Sequence, residues 1–415
     1  MIKTPVRGMR DLTPNKMLLR DFVLGIIERE AVTAGYQKIE TPALEHIENL
    51  TSGKGGENES LIFKILKRGE ALTAAQTNND SLVDSGLRYD LTVPLARFFA
   101  ANQKELALPF KSLQIGPVWR ADRPQKGRFR QFIQCDMDVI GDSSVLAEID
   151  TITTVSQILQ QILSRAGISD LTIRINDRRL LLASAKLAGF AESDYAQVLI
   201  SLDKADKIGL DGVAEDLANA GLASDNIKRF LELFSNTQIS LSDFVKKIDT
   251  NTIEQTVLGN LETIISAVTS SGIKIVFDPS LVRGMGYYTG PIFECSAGGF
   301  GSSVAGGGRY DKMIGQITGG GDIPACGFSI GFERLVTLLE DRGFTPDKAI
   351  VKRAILIDKE ASSAQIEQAF AEARTKRQAG EIVSVMTMNK NLKYQIDVLL
   401  QVGFSEFDKI WAKRD

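Results

Sequence analysis

One histidine, His46, stands in a chain of 415 residues, and that scarcity removes whole classes of chemistry. A lone imidazole with no second candidate ligand at helical spacing supports neither a Ser–His–Asp triad nor a histidine-rich metal centre. Cysteine is scarce as well. Cys135, Cys295 and Cys326 lack the paired spacing of a zinc site and form no disulfide framework, so they are expected to behave as small buried apolar residues. Long hydrophobic runs are missing, because charge interrupts each apolar stretch well short of the roughly 18 residues of a membrane span. The first ten residues lack the pattern of a secretory leader. These absences predict a soluble, cytoplasmic protein with no membrane partner. Neither sign of charge dominates: the formal net charge is −3, so any nucleic-acid partner has to be met by local basic patches.

The hydrophobic content of 43% suffices for a large core, and this length predicts two or three domains. Between Pro14 and Tyr36, Leu19, Phe22, Val23, Ile26 and Ile27 recur at the three-to-four spacing of a helix laid on a core, with Thr13 before Pro14 as its cap. YQKIETPALE follows as a short strand broken at Pro42, where a missing backbone donor suggests a sheet edge or an interface. LRYDLTVPLARFFAANQ reads as a strand leading into a helix. Helical periodicity then dominates from about Asp177 to Ser270, with no cluster of chemically informative residues, which predicts an inserted helical domain over 177–270. Strand patterns return in IKIVFDPSL and GYYTGPIFECSA. The glycine-dense GGFGSSVAGGGRYD supplies backbone able to lie close to a ligand. ACGFSIGFERLVTLLE reads as a strand, a glycine turn at Gly331 and an amphipathic helix with Arg334 in its first turn. After the polar linker TPDKA, the strands and helices of residues 350–415 alternate as a small α/β domain.

Residues 110–140 carry the most information. Two runs of period-two alternation flank the turn-forming DRPQKG and predict a long hairpin. On the first run Leu113, Ile115, Pro117 and Trp119 share one face, while Ser112, Gln114, Gly116 and Arg120 share the other. On the second, Phe129, Ile133, Cys135, Met137 and Val139 face one way. Arg128, Arg130, Gln134, Asp136 and Asp138 face the other way, with Phe132 as their one apolar companion. The expectation is a core face and a charged surface face.

Guanidinium forks at Arg120 and Arg128 suit the anionic oxygens of a polyphosphate, and carboxylates on the same face suit a zwitterion beside it. Phe132 is a natural platform for stacking an adenine, or else packs under the helical insert. The tripeptide RYD occurs at Arg88–Asp90 and again at Arg309–Asp311 and by itself says little. LVRGMGYYTG offers Arg283 and Tyr288 beside glycines, and GFERL brings Arg334 to a helix start, where anions are favoured. Each segment taken alone fits ordinary structure.

Taken in order over residues 7–340, GMRDLTP, LRYDLTVPLARF, WRADRPQKGRFRQFIQCDMDVIG, LVRGMGYYTGPIFE, AGGGRYD and ACGFSIGFERL resemble the histidyl-tRNA synthetase family. The resemblance implies an α+β fold with the antiparallel sheet of a class II aminoacyl-tRNA synthetase. Its catalytic core would span 1–176 and 271–345, with the helical insert between and an anticodon-binding domain over 350–415, which is short for the family. It implies a homodimer with an interface near Pro42, ATP and L-histidine as substrates, Mg2+ bridging the phosphates, and histidine tRNA as partner. By resemblance, Arg120 would hold the α-phosphate and Arg128 the outer phosphates, and Phe132 and Arg334 would sandwich adenine. Asp90, Thr92 and Gln134 would take the histidine ammonium, Asp138 and Tyr288 the imidazole, with Tyr287 and Tyr310 beside them. Arg283 would stabilise charge at the α-phosphate, so that Arg120, Arg283 and Gln134 form the catalytic set. Gly286 stands where the family commonly has an acidic residue, and Asp90 and Asp138 where many members have glutamate. Two rivals stay open: a non-catalytic histidine-binding paralogue resembling the regulatory subunit of ATP phosphoribosyltransferase, whose hallmark is eroded ATP-site arginines, and a ligase acting on free histidine.

Overall fold

The structure is a computed structural model that describes residues 1–412 apart from 52–58, 79–80, 125–127, 237, 249–254, 285, 300–302 and 347–350. The tip of the hairpin turn, Met285, part of the glycine-dense segment and most of the TPDKA linker therefore lie outside the described residues. Two compact units are present: Met1–Asp11 with Arg20–Phe344, and Leu12–Leu19 with Thr345–Asp415.

The strands, in chain order, are β1 (Gln37–Ile39), β2 (Leu44–His46), β3 (Lys64–Leu66), β4 (Val83–Leu87), β5 (Phe110–Trp119), β6 (Gln131–Ile140), β7 (Thr172–Asp177), β8 (Ile275–Phe277), β9 (Pro291–Ser296), β10 (Ala305–Arg309), β11 (Ala325–Ile330), β12 (Lys352–Ile357), β13 (Ile382–Thr387) and β14 (Glu406–Ile410). The first unit is built on an eight-stranded sheet in the order β1-β5-β6-β11-β10-β9-β7-β8. Its six central strands pair antiparallel, while β1 and β8 join the two edges in parallel. The expected hairpin is present with unbroken register from Phe110↔Ile140 to Trp119↔Gln131.

On the face that carries Val139, Cys326 and Arg309, the helix Leu146–Ser164 packs across β6 and β11. Its Ile152, Val155, Ile158, Leu159 and Ile162 are wholly buried, each contributing roughly 1.5–3 kcal/mol from burial. Cys135, Cys295 and Cys326 are buried free thiols, so the expectation that they act as apolar filling is met. Among the described residues, α-helices from Arg178–Ala188 to Gln255–Ser270 fill the stretch between β7 and β8. They are part of the same compact unit as the sheet. The strand Thr172–Asp177, which periodicity did not single out, leads into them: Asp177 accepts from the backbone N–H of Arg179 and caps the helix Arg178–Ala188.

One expectation needs correction. The polar face of the hairpin is not a charged surface: along β5 it is Ser112, Gln114, Gly116 and Val118 that are buried, while Ile115, Pro117 and Trp119 are half-exposed. The cause is tertiary. Gln114 accepts from the Thr41 hydroxyl at 3.0 Å and donates to the Leu91 carbonyl at 3.1 Å. The Arg88 guanidinium lies against Gly116, where a Cβ would collide with it. The segments around Thr41 and Leu91 thus roof this face at Gln114 and Gly116, and the Gln114 amide is satisfied by them instead of by water.

In the second unit β12, β13 and β14 form a parallel sheet in the order β13-β12-β14. The helices Ser363–Gln378 and Leu392–Gln401 follow β12 and β13, the alternation expected for this stretch. Ser362 and Gln365 form a reciprocal capping box on the first of these helices. Asn391 caps the second by accepting from Tyr394 N–H at 3.0 Å.

Candidate active site

All twelve residues singled out as site candidates line one cavity of about 600 Å³ on the polar face of the sheet: Asp90, Thr92, Arg120, Arg128, Phe132, Gln134, Asp138, Arg283, Tyr287, Tyr288, Tyr310 and Arg334. Phe132, Gln134 and Asp138 come from β6, and Arg120 and Arg128 from the hairpin connection just outside β5 and β6. Asp90 and Thr92 come from the Tyr89–Leu91 turn and the start of the helix Thr92–Asn102. Arg283, Tyr287 and Tyr288 come from the segment between β8 and β9, Tyr310 from just after β10, and Arg334 from the start of the helix Phe332–Asp341.

The deepest part of the cavity is acidic. Asp90, Asp136 and Asp138 are each 3% exposed or less. Burial pushes Asp90 up to about 6 and Asp136 up to about 7, and it holds Asp138 well above the usual carboxylate range, helped by the neighbouring Asp136. Their hydrogen bonds are unevenly filled. Asp138 Oδ1 accepts from the Tyr310 hydroxyl at 2.6 Å and Asp90 Oδ1 from Val93 N–H at 3.1 Å. The other oxygen of each, Oδ2, is buried and finds no partner among the described residues. Orphaned acceptors of this kind are costly unless a ligand completes them. A tyrosine wall stands beside them: the Tyr287 ring meets Tyr310 edge-on at 5.9 Å and lies tilted against Tyr288 at 4.9 Å.

Cations lie farther out. Arg120 donates through Nε to the Tyr89 carbonyl at 2.9 Å, and its guanidinium lies 5.1 Å from the Phe132 ring centre. Phe132 is half-buried. Arg283 is held by Glu294 at 2.9 Å, and Gly306 leaves the room its guanidinium occupies. Arg334, in the first helical turn as expected, donates to the Ser303 carbonyl at 2.9 Å. Arg128 pairs with Asp122 at 2.9 Å while remaining half-exposed. Glycine is required at a second point: a Cβ on Gly327 would collide with Asp138 Oδ1. Gly286, by contrast, has open space where a side chain would project.

The two RYD segments separate cleanly. Arg88 is a buried strut that donates to the Thr41 carbonyl at 2.5 Å and the Pro117 carbonyl at 2.9 Å, and only Asp90 of that segment lines the cavity. Arg309 forks onto Glu148 at 2.6 and 2.8 Å behind the sheet, and only Tyr310 of its segment lines the cavity. His46 is exposed on β2 and takes no part.

Sequence reasoning missed part of the wall. Leu202, Asp203, Asp206 and Lys207 line the cavity from the end of the helix Tyr195–Leu202, the turn that follows it and the first turn of the helix Ala205–Asn219. The helical stretch therefore does carry polar groups to the site. Arg174 ties this turn to the sheet, bonding Glu294 at 2.7 Å, Asp278 at 3.1 Å and Asp206 at 3.4 Å. In a helical run of ordinary charge density, SLDKADK has no spacing that would mark it. Glu294 was detectable only as an acidic residue inside the apolar strand PIFECS, and Ser329 as a polar residue inside ACGFSI.

An antiparallel six-stranded core, a hairpin bearing paired arginines and a cavity with acidic depths and a cationic mouth define the catalytic core of a class II aminoacyl-tRNA synthetase. Residues 8–335 match the family model described as histidyl-tRNA synthetase, and the chain belongs to that family. It is 44% identical to the histidine–tRNA ligase of Leifsonia xyli subsp. xyli (strain CTCB07), covering 97% of this chain and 94% of that protein. It is 39% identical, over the same shares, to the probable histidine–tRNA ligase of Tropheryma whipplei (strain Twist). Among solved structures, the histidyl-tRNA synthetase from Nostoc sp. PCC 7120 superimposes with a TM-score of 0.77 at 25% identity, over 97% of this chain and 90% of that one. A Bacillus halodurans protein described as an ATP phosphoribosyltransferase regulatory subunit/histidyl-tRNA synthetase reaches 0.79 over both full lengths at 22% identity, a likeness of fold alone. Along its described length, no helix is long and apolar enough to cross a membrane.

Proposed function

We propose that the chain is a histidine–tRNA ligase, forming histidyl-adenylate and pyrophosphate from ATP and L-histidine and then passing the histidyl group to the terminal adenosine of histidine tRNA. The observation that carries the reading is the pair of orphaned buried oxygens, Asp90 Oδ2 and Asp138 Oδ2, on one cavity wall. One suits the ammonium of a histidine and the other an imidazole N–H. Asp138 and Tyr288 take the ring, and Asp90, Thr92 and Gln134 the ammonium, with Tyr287 and Tyr310 packing around them. An apolar amino acid would leave Asp138 unpaired, the situation in which selection by hydrogen bonding is strongest.

In the first step a carboxylate oxygen of histidine attacks the α-phosphorus and pyrophosphate leaves. Arg120 holds the α-phosphate, Arg128 the outer phosphates, and Phe132 and Arg334 enclose the adenine. Arg283, already fixed by Glu294, meets the charge that develops at the α-phosphorus. Alignment and preorganised charge do the catalysis, and no protein nucleophile is required. In the second step a hydroxyl of the terminal adenosine attacks the histidyl carbonyl and AMP leaves. Among the described residues no group of three acidic, thiol or imidazole ligands could cage a metal ion. Mg2+ is proposed as a companion of the triphosphate, where it would offset phosphate charge. The same reading includes a cytoplasmic homodimer with contacts near Pro42 and an anticodon-binding role for residues 350–415.

Four intact arginines, at 120, 128, 283 and 334, and the names of the relatives favour this reading over a non-catalytic paralogue. Histidine-dependent exchange of labelled pyrophosphate into ATP, followed by charging of histidine tRNA in the same preparation, tests it. Both signals are expected. Exchange without charging would favour the ligase acting on free histidine, and histidine binding without exchange would favour the paralogue.

A further inference from the structure

Gln134 stands on the cavity wall with its amide turned by two groups to which no role has been given above, Asp136 and Ser329. Sheet register sets Gln114, Asp136 and Ser329 in one row across β5, β6 and β11. Gln134 is the next residue along β6 on the same face. The Ser329 hydroxyl donates to Asp136 Oδ1 at 2.5 Å, which uses its only proton and leaves its oxygen as an acceptor. Gln134 Nε2 donates to that oxygen at 3.0 Å and faces Asp136 Oδ1 and Oδ2 at 3.3 and 3.4 Å. Once ionised, above the value of about 7 to which burial raises it, the Asp136 carboxylate offers no proton, so this ring then closes only with the amide nitrogen turned toward it. Gln134 Oε1 is thereby sent the other way, where Arg120 Nη2 approaches at 3.5 Å.

We infer that Asp136 and Ser329 are positioning residues that lock the Gln134 amide so that its oxygen, and not its NH2 group, meets the α-ammonium of the amino-acid substrate. The inference rests on the histidine reading above. An unrestrained amide would sample both orientations, and the flipped one would aim two N–H donors at a cation. An ammonium can only donate, whereas a hydroxyl both donates and accepts. The lock therefore favours an amino acid over its α-hydroxy counterpart.

The test is equilibrium binding of L-histidine, imidazole lactate and ATP to the full-length chain and to Ser329→Ala, Ser329→Thr and Asp136→Asn. Ser329→Ala removes no charged side chain, and measured well above pH 7, where Asp136 stays ionised without the Ser329 hydrogen bond, it isolates geometry. It is expected to weaken histidine about threefold to tenfold, the range set by one net hydrogen bond, with imidazole lactate and ATP unchanged and Ser329→Thr restoring the affinity. Asp136→Asn, which also frees the partner amide, is expected to weaken histidine by at least as much. Unchanged histidine affinity in Ser329→Ala would overturn the inference, and so would equal losses for all three ligands, which would mark a merely structural role. If the unmodified chain fails to bind histidine, the reading beneath falls first and this inference with it.

Discussion

The same three residues, Arg-Tyr-Asp, occur twice in the first unit and do opposite work. In Arg88–Asp90 the arginine props the roof of the hairpin, the tyrosine joins a core cluster with Leu50, Ile62 and Val93, and the aspartate enters the cavity. In Arg309–Asp311 the arginine is locked behind the sheet, the tyrosine enters the cavity to bond Asp138, and the aspartate accepts from Ala325 N–H at 2.9 Å. The first segment leaves a strand for a turn before the helix Thr92–Asn102, whereas the second begins as the last residue of a central strand. Side-chain direction, set by the element, decides which of the three meets the ligand. The tripeptide itself decides nothing.

The largest effect should separate the two arginines. Arg309→Met strands Glu148, 1% exposed, as an uncompensated buried charge, with an expected loss of about 3–5 kcal/mol in urea unfolding. Arg88→Met deprives neutral carbonyls of a donor, with an expected loss of about 1–3 kcal/mol. Equal losses would erase the distinction.

Next comes pH. Asp90 is raised by burial to about 6, so the native state holds its proton where an unfolded chain, titrating near 4, has released it. That stabilisation is complete below about pH 4 and is lost as pH rises through about 6. Relative to Asp90→Asn, the unmodified chain should therefore fall in stability by on the order of 2–3 kcal/mol between pH 4 and pH 7. A melting-temperature difference that stays flat over that window would show Asp90 to be solvated.

A smaller effect is expected at the second tyrosine. Tyr310→Phe removes the donor to Asp138 Oδ1, which should cost about 1 kcal/mol and raise the KM for histidine several-fold, with the KM for ATP unchanged. A matching rise for ATP would mean that Tyr310 shapes the cavity as a whole.

Much of this site was legible because β-strand parity is rigid. Gln134, Asp136 and Asp138 had to share a face with Arg120 once the hairpin was recognised, and Arg334 had to lie in a first helical turn once Gly331 was read as the break. What parity could not supply was the cover over that face. Whether Gln114 meets water or the Thr41 hydroxyl depends on a segment more than 70 residues away, and nothing local encodes the approach. The Asp203–Lys207 turn was invisible for the same reason, since its contribution is one of placement. Asp136 was seen on the right face but given no task, because its partner Ser329 lies on a strand almost 200 residues downstream.

The most direct test of the site is a crystal structure of the chain with a non-hydrolysable histidyl-adenylate analogue. The expected result places the imidazole against Asp138 Oδ2 and Tyr288, the α-amine between Asp90 Oδ2 and Gln134 Oε1, and the adenine between Phe132 and Arg334. An analogue bound elsewhere, or bound in this cavity with both orphaned oxygens still unpaired, would contradict it.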